Sequence, residues 1–408
     1  MIPRCSPSYS LDELQGAFRH SPDVVELFEK ELAAYFNMKY AITFPYGRSA
    51  IYACLQALEL SGNEVIQPAY NCVVVAHATV KAGFRPVFVD TLPNDPNQDM
   101  EKMIEKVGFN TAAVIPTSIF GMSFDAVQLC KEIRRKNPNT FILTDCCQSF
   151  NAQWKGNLLV REGDAAILAF GIGKPMTSLF GGALLTNRAD IILTVKRYRD
   201  RVYTKPDIFR SFKRLTYFLA SWIAFSGPCV NLTNFLESSS NPLQWYLKRF
   251  RTREAIKLPR DNQFLLTKLE ASIGCIQLRK VKQFMDRRSE IASRYNLALA
   301  HIPYLKLLDW TKGSTYAIYS ARFTRPEKRG EILSKLIKKG IQCGTVLNYV
   351  VPALSCYQEI GYSGLEFPHA MAWADSVINF PDHPTMTDKH IQYCINTISK
   401  TFYEEYGD

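Results

Sequence analysis

The sequence predicts an α/β protein: a mostly parallel sheet of seven strands covered on both faces, followed by a smaller α+β part toward the C-terminus. Two observations predict it. Seven short apolar or β-branched runs, at 40–44, 64–68, 86–90, 112–116, 141–145, 165–170 and 182–186, recur with helix-period stretches between most of them. This is the pattern of parallel strands joined by crossover helices. The texture then changes at about 263, where longer helical patterns take over. The 408 residues, 47% hydrophobic and 21% charged, are enough for more than one full-sized core and exclude a disordered or fibrous chain.

The elements follow in order. Residues 21–36 open with Ser-Pro-Asp and place Val24, Val25, Leu27, Phe28, Leu32 and Tyr35 on a helical face, so a first amphipathic helix is expected there. Helices are expected from Ser49, from about Asn71, over 98–107 and over 125–135, each after a strand. Beyond the sheet the spacing predicts helices over 264–281 and 286–300, a strand over 315–323, a helix over 327–339, a strand near Ile341 and a closing helix from about Thr387. The expected units are a large α/β domain (1–195), a basic aromatic-rich insert (196–262) and a smaller α+β domain (263–408).

The formal charge is +11, but residues 196–260 hold fourteen Lys/Arg against four acids and leave the rest nearly neutral. A uniformly basic nucleic-acid binder is therefore excluded. Within that stretch the 22 residues 215–236 carry no charge and are long enough to span a bilayer. Gly227-Pro228 and the polar Asn231, Thr233 and Asn234 argue against a spanning helix. Two readings of the insert remain: a lid or dimer element whose aromatics pack on a partner or on the rim of the site, and a peripheral contact with an anionic membrane through 196–260. Eleven scattered cysteines without a CxxC pair, and an N-terminus, MIPRCSPSYS, without a long apolar core, lead to an expected cytoplasmic location, with peripheral contact at the inner membrane face under the second reading. The six histidines show no metal-ligand spacing, so no metal is expected; His383, in a turn, reads as structural.

Ligands of open α/β sheets bind beyond the carboxyl ends of the strands. FGIGK (170–174) lies there. It is not a P-loop, because Leu168 and Pro175 stand where Gly and Ser/Thr are needed, and Met176 takes the place of the third glycine of a dinucleotide fingerprint. What remains is Lys174 in a glycine-lined turn, where partial desolvation frees an amine for Schiff-base chemistry. Asp145 ends another strand and can hold a pyridine nitrogen protonated, and Gln148 can reach a ring hydroxyl. Gly47-Arg48-Ser49 opens a helix, and its free amides suit a phosphate.

In this order the motifs resemble the DegT/DnrJ/EryC1/StrS sugar aminotransferases, fold-type I enzymes dependent on pyridoxal phosphate. The resemblance is carried by GRSAIYACLQAL, NEVIQPAY, AGFRPVFVD, AAVIPTSIFG, LTDCCQSF with WKG after it, GDAAILAFGIGK, FGGALLTN, KLEASIGCIQL and the late GYSGLEFPHAMAWADSVINFPDHPTMT. It implies that Lys174 carries the cofactor covalently, that Asp145 faces the ring nitrogen, that Gln148 bonds the ring oxygen and that the Gly47-Arg48-Ser49 turn holds the phosphate. It further implies a homodimer with a shared active site, in which a second subunit completes the phosphate site through Asn262 or Gln263.

Four positions depart from the pattern. Arg48 stands where a small hydroxyl residue is common, with a charge that can compensate, and Ala169 replaces a phosphate-binding Ser. Cys72 replaces the aromatic that stacks on the cofactor, so Tyr70 is expected to take over the stacking. Leu265 replaces an Arg. A related dehydratase branch carries His in place of the lysine, so retention of Lys174 favours transamination. The implied reaction moves an amino group from L-glutamate to a nucleotide-linked keto sugar in polysaccharide or secondary-metabolite synthesis. The alternatives are a non-catalytic regulator or scaffold on the same fold, and a pyridoxal phosphate enzyme acting on an amino acid.

Overall fold

A computed structural model describes residues 1–225 and 253–406. Seven strands form the main sheet: β1 (Tyr40–Phe44), β2 (Glu64–Pro68), β3 (Arg85–Val89), β4 (Thr111–Val114), β5 (Phe141–Asp145), β8 (Ala165–Ala169) and β9 (Gly182–Thr186). A two-stranded hairpin, β6 (Gln153–Trp154) and β7 (Asn157–Leu158), lies between β5 and β8. The spatial order is β1-β9-β8-β5-β4-β2-β3, and β9 alone runs against its neighbours, antiparallel to both β1 and β8. All five residues of β5 and of β9 are buried, as expected for strands covered on both faces. Helices α3 (Gly47–Ala57), α4 (Val73–Lys81), α5 (Met100–Glu105) and α6 (Ala126–Lys136) connect the parallel strands.

Several elements differ from the sequence reading. The chain enters a helix earlier than 21: α1 (Leu11–Phe18) starts on a Ser10/Glu13 capping box, ahead of α2 (Val24–Tyr35). The two helices expected over 264–281 and 286–300 are one, α9 (Lys268–Leu299), opened by a Thr267/Glu270 capping box. Charged pairs such as Lys282–Asp286 and Arg287–Glu290 carry it across the junction. The strand expected over 315–323 shortens to β11 (Ser320–Phe323) between β10 (Leu305–Leu307) and β12 (Val377–Asn379). Tyr316 sits at φ 48°, and the amides of Thr315 and Ile318 bond Gly121 and Phe120 instead of a ladder. Near Ile341 there is a single parallel bridge to Ile2. Part of the basic segment is helical, in α7 (Ala189–Val202) and α8 (Ile208–Ala224).

Two apolar clusters share α9. Ala271, Cys275, Leu278 and Val281 pack with Phe28 and Leu32 of α2 beneath the sheet. Ile291, Tyr295 and Leu299 pack with Tyr319, Phe323, Ile391 and Ile398 around the small sheet. The N-terminus joins the second cluster, because Ile2 bonds Gly340 and Gln342 through its backbone.

At the junction, Asp382 pairs with Arg288 at 3.0 Å and accepts the Tyr319 amide at 2.8 Å. Next to it, burial and then the Arg288 charge push the His383 imidazole down to about 3, so the folded protein keeps it neutral. An unfolded chain takes up a proton there below about pH 6.5. Stability from this group is therefore complete above that pH and is lost as pH falls from about 6.5 toward 3, by about 2 kcal/mol at pH 5. Urea unfolding at pH 7.5 and pH 5 should show His383→Asn losing less stability over that interval than the parent protein. Equal losses would count against a neutral, buried imidazole.

Candidate active site

The turn after β1 is built by close approach. Tyr46 caps α3, the Ser49 and Ala50 amides close back on its carbonyl at 3.1 and 3.2 Å, and the amides ahead of them are donors of a first helical turn. A Cβ on Gly47 would lie 2.9 Å from Ala169 Cβ at the end of β8 and 3.3 Å from Cys147 Sγ after β5. A Cβ on Gly182 would lie 2.4 Å from Gly47 N. The helix N-terminus is thus seated directly on the ends of β5, β8 and β9. Arg48 is half-buried with its guanidinium 5.1 Å from the Tyr46 ring centre, and burial lowers its pKa. Asp261, the carboxylate that acts on it, is already engaged by Arg210 and Arg214.

Asp145 is the last residue of β5, is buried, and accepts the Cys147 amide at 2.9 Å. Cys147 reports on two groups at once. Burial first and the Asp145 carboxylate second raise its thiol pKa, while the Lys174 ammonium pulls it down. Lys174 lies in the turn after β8, half-buried, with its own amide closed on Gly171 at 2.9 Å. The carboxylate and the amine predicted from opposite ends of a 30-residue stretch therefore act on one thiol at the carboxyl edge of the sheet. Gln148 is buried, and its Oε1 accepts the Phe120 amide at 3.1 Å. With the oxygen engaged, what Gln148 offers a ligand is its NH2 group.

The polar residues ahead of α9 do not sit together. Asn262 is buried and accepts from Ser49 Oγ of its own chain at 2.6 Å, whereas the Gln263 side chain is exposed. Asn262 or Gln263 was expected to act on a second subunit; within this chain Asn262 already meets the turn. The reason is α8. Arg210 and Arg214 pair with Asp261 at 2.6 and 3.2 Å, Tyr46 Oη donates to Asp261 at 2.9 Å, and Arg214 also pairs with the fully buried Glu270 at 3.0 Å. Burial alone would raise the Asp261 carboxyl, but Arg210, Tyr46 and Arg214 hold it below the ordinary value. Arg199 is likewise turned inward, to Glu29. Part of the positive charge expected to meet a substrate or a lipid is thus neutralised inside the fold. Residues 226–252 of that segment lie outside the described residues, and with them half of the uncharged stretch. No helix among the described residues is long and apolar enough to cross a membrane, and no group of three or more metal-ligating side chains occurs among them.

The stacking position differs from expectation. The Tyr70 ring is fully buried, edge-on to Phe120 and tilted against Trp373. It belongs to the same apolar cluster as these two rings. Cys72 caps α4 within reach of the Arg48 charge. Beside it lies Tyr349, which the sequence reading missed: its Oη accepts the Val73 amide at 3.0 Å, and Arg253 lies 4.1 Å over its ring. No local signal marks Tyr349, because it comes from a loop some 280 residues away.

The profile of the DegT/DnrJ/EryC1/StrS aminotransferase family matches residues 12–218 and 248–399, leaving 219–247 of the basic segment unmatched. The spore coat polysaccharide biosynthesis protein SpsC of Bacillus subtilis is 25% identical over 95% of this chain and 92% of its own length. The GDP-perosamine synthase of Escherichia coli O157:H7 is 23% identical over 93% and 90%. Among solved structures, the aminotransferase PseC of Helicobacter pylori superposes with a TM-score of 0.78 at 19% identity, covering 99% of both chains.

Proposed function

The chain belongs to the DegT/DnrJ/EryC1/StrS aminotransferase family, and from that premise we propose that it moves an amino group from L-glutamate to a nucleotide-linked keto sugar in polysaccharide or secondary-metabolite synthesis. The family is pyridoxal phosphate-dependent, and the reaction is a transamination. The substrate class is supported by relatives named for polysaccharide synthesis and for perosamine synthesis. One observation carries the site: the ends of β5 and β8, which bear Asp145 and lead into the Lys174 turn, meet a helix N-terminus so closely that a Cβ at Gly47 would lie 2.9 Å from Ala169 Cβ and 3.3 Å from Cys147 Sγ.

The residues present fit the cofactor. First-turn amides, the Arg48 guanidinium and the Ser49–Asn262 pair form a donor set for a dianionic phosphate. A buried carboxylate with one oxygen held by an amide suits a protonated ring nitrogen. When bound, pyridoxal phosphate supplies an aldehyde for amines and an electron sink in its protonated ring. In this reading the Lys174 amine would hold the cofactor and, when free, would move a proton from and to the donor α-carbon as general base and acid. Asp145 keeps the ring nitrogen protonated. Gln148 orients the ring through its NH2, and Arg48 makes up for the hydroxyl lost at Ala169. The donor leaves as a 2-oxo acid, and the keto sugar leaves as an amino sugar.

A cytoplasmic homodimer, built on a domain division near 195 and 263, belongs to the same proposal. α8 turns Ile208, Phe209, Phe212 and Ile223 outward, an apolar face of the kind subunits bury. Gln263, exposed, is the residue left to reach a second chain. Of the two readings of the basic segment this face favours the dimer element, since Arg210 and Arg214, which an anionic lipid surface would attract, point inward.

The test is spectroscopic. The purified protein should take up pyridoxal phosphate with visible absorbance, and adding L-glutamate should shift that band and release 2-oxoglutarate. A protein that stays colourless with added cofactor would remove this reading.

A further inference from the structure

The turn that carries Lys174 is held from outside the sheet. Between Phe170 and Gly181 it closes on itself: Thr177 Oγ1 and the Ser178 amide both donate to the Phe170 carbonyl, at 3.1 and 2.9 Å, and the Leu179 amide donates to Thr177 Oγ1 at 2.9 Å. Leu179 has a φ of 73°, a conformation a leucine keeps only where its surroundings impose it. Its side chain is buried with Ala17 of α1, Phe218 of α8, and Leu269 and Ile273 of α9. The Thr177 amide turns away from the loop and donates to Oε1 of Gln277, on α9, at 3.4 Å. Building on the functional reading above, we propose that Gln277 is a positioning residue for the Lys174 amine, and that the N-terminal segment 6–13 sets it in place.

Gln277 is buried, and its orientation is decided at its other end. Its Nε2 donates to the Ser8 carbonyl and to Glu13 Oε1, at 2.8 Å each. Both partners are acceptors, so turning the amide over would set an oxygen against two oxygens, and Oε1 is left to face the turn. Glu13 is fully buried and is itself held, by Lys280 at 3.1 Å and by the Ser10 amide at 2.7 Å. Residues 6–8 lie across the turn 174–177, the two segments lining one narrow cleft. The strap is anchored on both sides of the point where Ser8 meets Gln277. On one side Ile2 bonds Gly340 and Gln342 through its backbone. On the other, Tyr9 stacks on Trp222 of α8 at 5.8 Å, with ring planes 2° apart. What the strap fixes, through Gln277, is a buried amide three residues from the lysine. A buried donor that loses its partner is costly, so the turn has one preferred seat.

Two forms of the cofactor separate this role from general support of the fold. Pyridoxal phosphate bonds an amine through its aldehyde, with loss of one water, whereas pyridoxamine phosphate has the same ring and phosphate and makes no bond to a lysine. Equilibrium dialysis of both should be run against Gln277→Met, which keeps the length of the side chain and removes its amide. Pyridoxal phosphate should bind about fivefold more weakly, the worth of one hydrogen bond, and pyridoxamine phosphate as it binds the parent. In a Lys174→Ala background the same change should alter neither affinity. Tyr9→Ala, which loosens the strap and leaves Gln277 intact, should shift the ratio of the two affinities in the same direction, and that ratio decides the matter if Gln277→Met does not fold.

A merely structural role would lower the urea midpoint and leave the ratio where it was. Equal weakening of the two forms, or no change in either, therefore overturns this inference alone. An unaltered protein that binds neither form removes the functional reading and this inference together.

Discussion

Lys174→Ala is expected to lower the transamination rate by about 10³–10⁴-fold, at the upper end of what a positioned general acid and base contributes, while leaving the fold intact. Lys174 is half-buried in a turn closed by its own backbone, through its amide on Gly171, and its side chain carries no ion pair among those described. Surface-type truncations of this kind usually change stability by less than about 0.5 kcal/mol. The loss should therefore be chemical. Lys174→Arg keeps the charge but offers no free amine, so it should be as inactive as the alanine variant. A small exogenous amine should restore part of the rate to Lys174→Ala and none to Lys174→Arg. Steady-state assays with L-glutamate and a keto sugar check this, and more than about a tenth of parental activity in the alanine variant would contradict the role assigned to the amine.

The second large effect is structural. Gly182→Ala puts a Cβ 2.4 Å from Gly47 N, 2.5 Å from Gly47 Cα and 2.6 Å from Tyr46 C. All three are backbone atoms, so no side chain can swing aside, and the turn itself must lift from the ends of β8 and β9. Overpacking of this kind costs about 1–3 kcal/mol and occasionally more, and here the displaced element is the helix N-terminus proposed to hold the phosphate. Both the urea midpoint and the affinity for pyridoxal phosphate should fall. Gly171→Ala is the control, because nothing lies within 4 Å of a Cβ there, and it should change neither by much. Wild-type behaviour of Gly182→Ala in both measurements would mean that the turn moves freely and is not the fixed cradle described.

The parts of the fold that were legible are those with local causes. Buried strands announce themselves as short runs such as FILTD and GALLT, and Asp145 and Lys174 were singled out because strand ends are where such sheets bind ligands. The starts of α1 and α9 were equally written in the sequence, as Ser10-x-x-Glu13 and Thr267-x-x-Glu270, and were overlooked. Other features had no local cause to read. The shortening of 315–323 comes from its backbone bonding the 120–121 turn. The inward arginines of α8 find their acids about fifty residues away, at Asp261 and Glu270. Counting charges along the chain located that segment, but the count does not say which cations face solvent. Tyr70 was expected to stand in for the aromatic that Cys72 replaces, and its ring is buried beside Trp373. The aromatic that does stand beside Cys72 is Tyr349, from a distant loop.

At about 1.5 Å per residue the 32 residues of α9 make a rod close to 48 Å long, gripped near one end by the large core and near the other by the small one. A rod clamped at both ends transmits torque instead of absorbing it. Turning the C-terminal part toward the sheet would require breaking that rod, and it contains neither proline nor a helical break at which to do so. Fluorescent labels at the two ends of α9 should report a fixed separation with and without substrate.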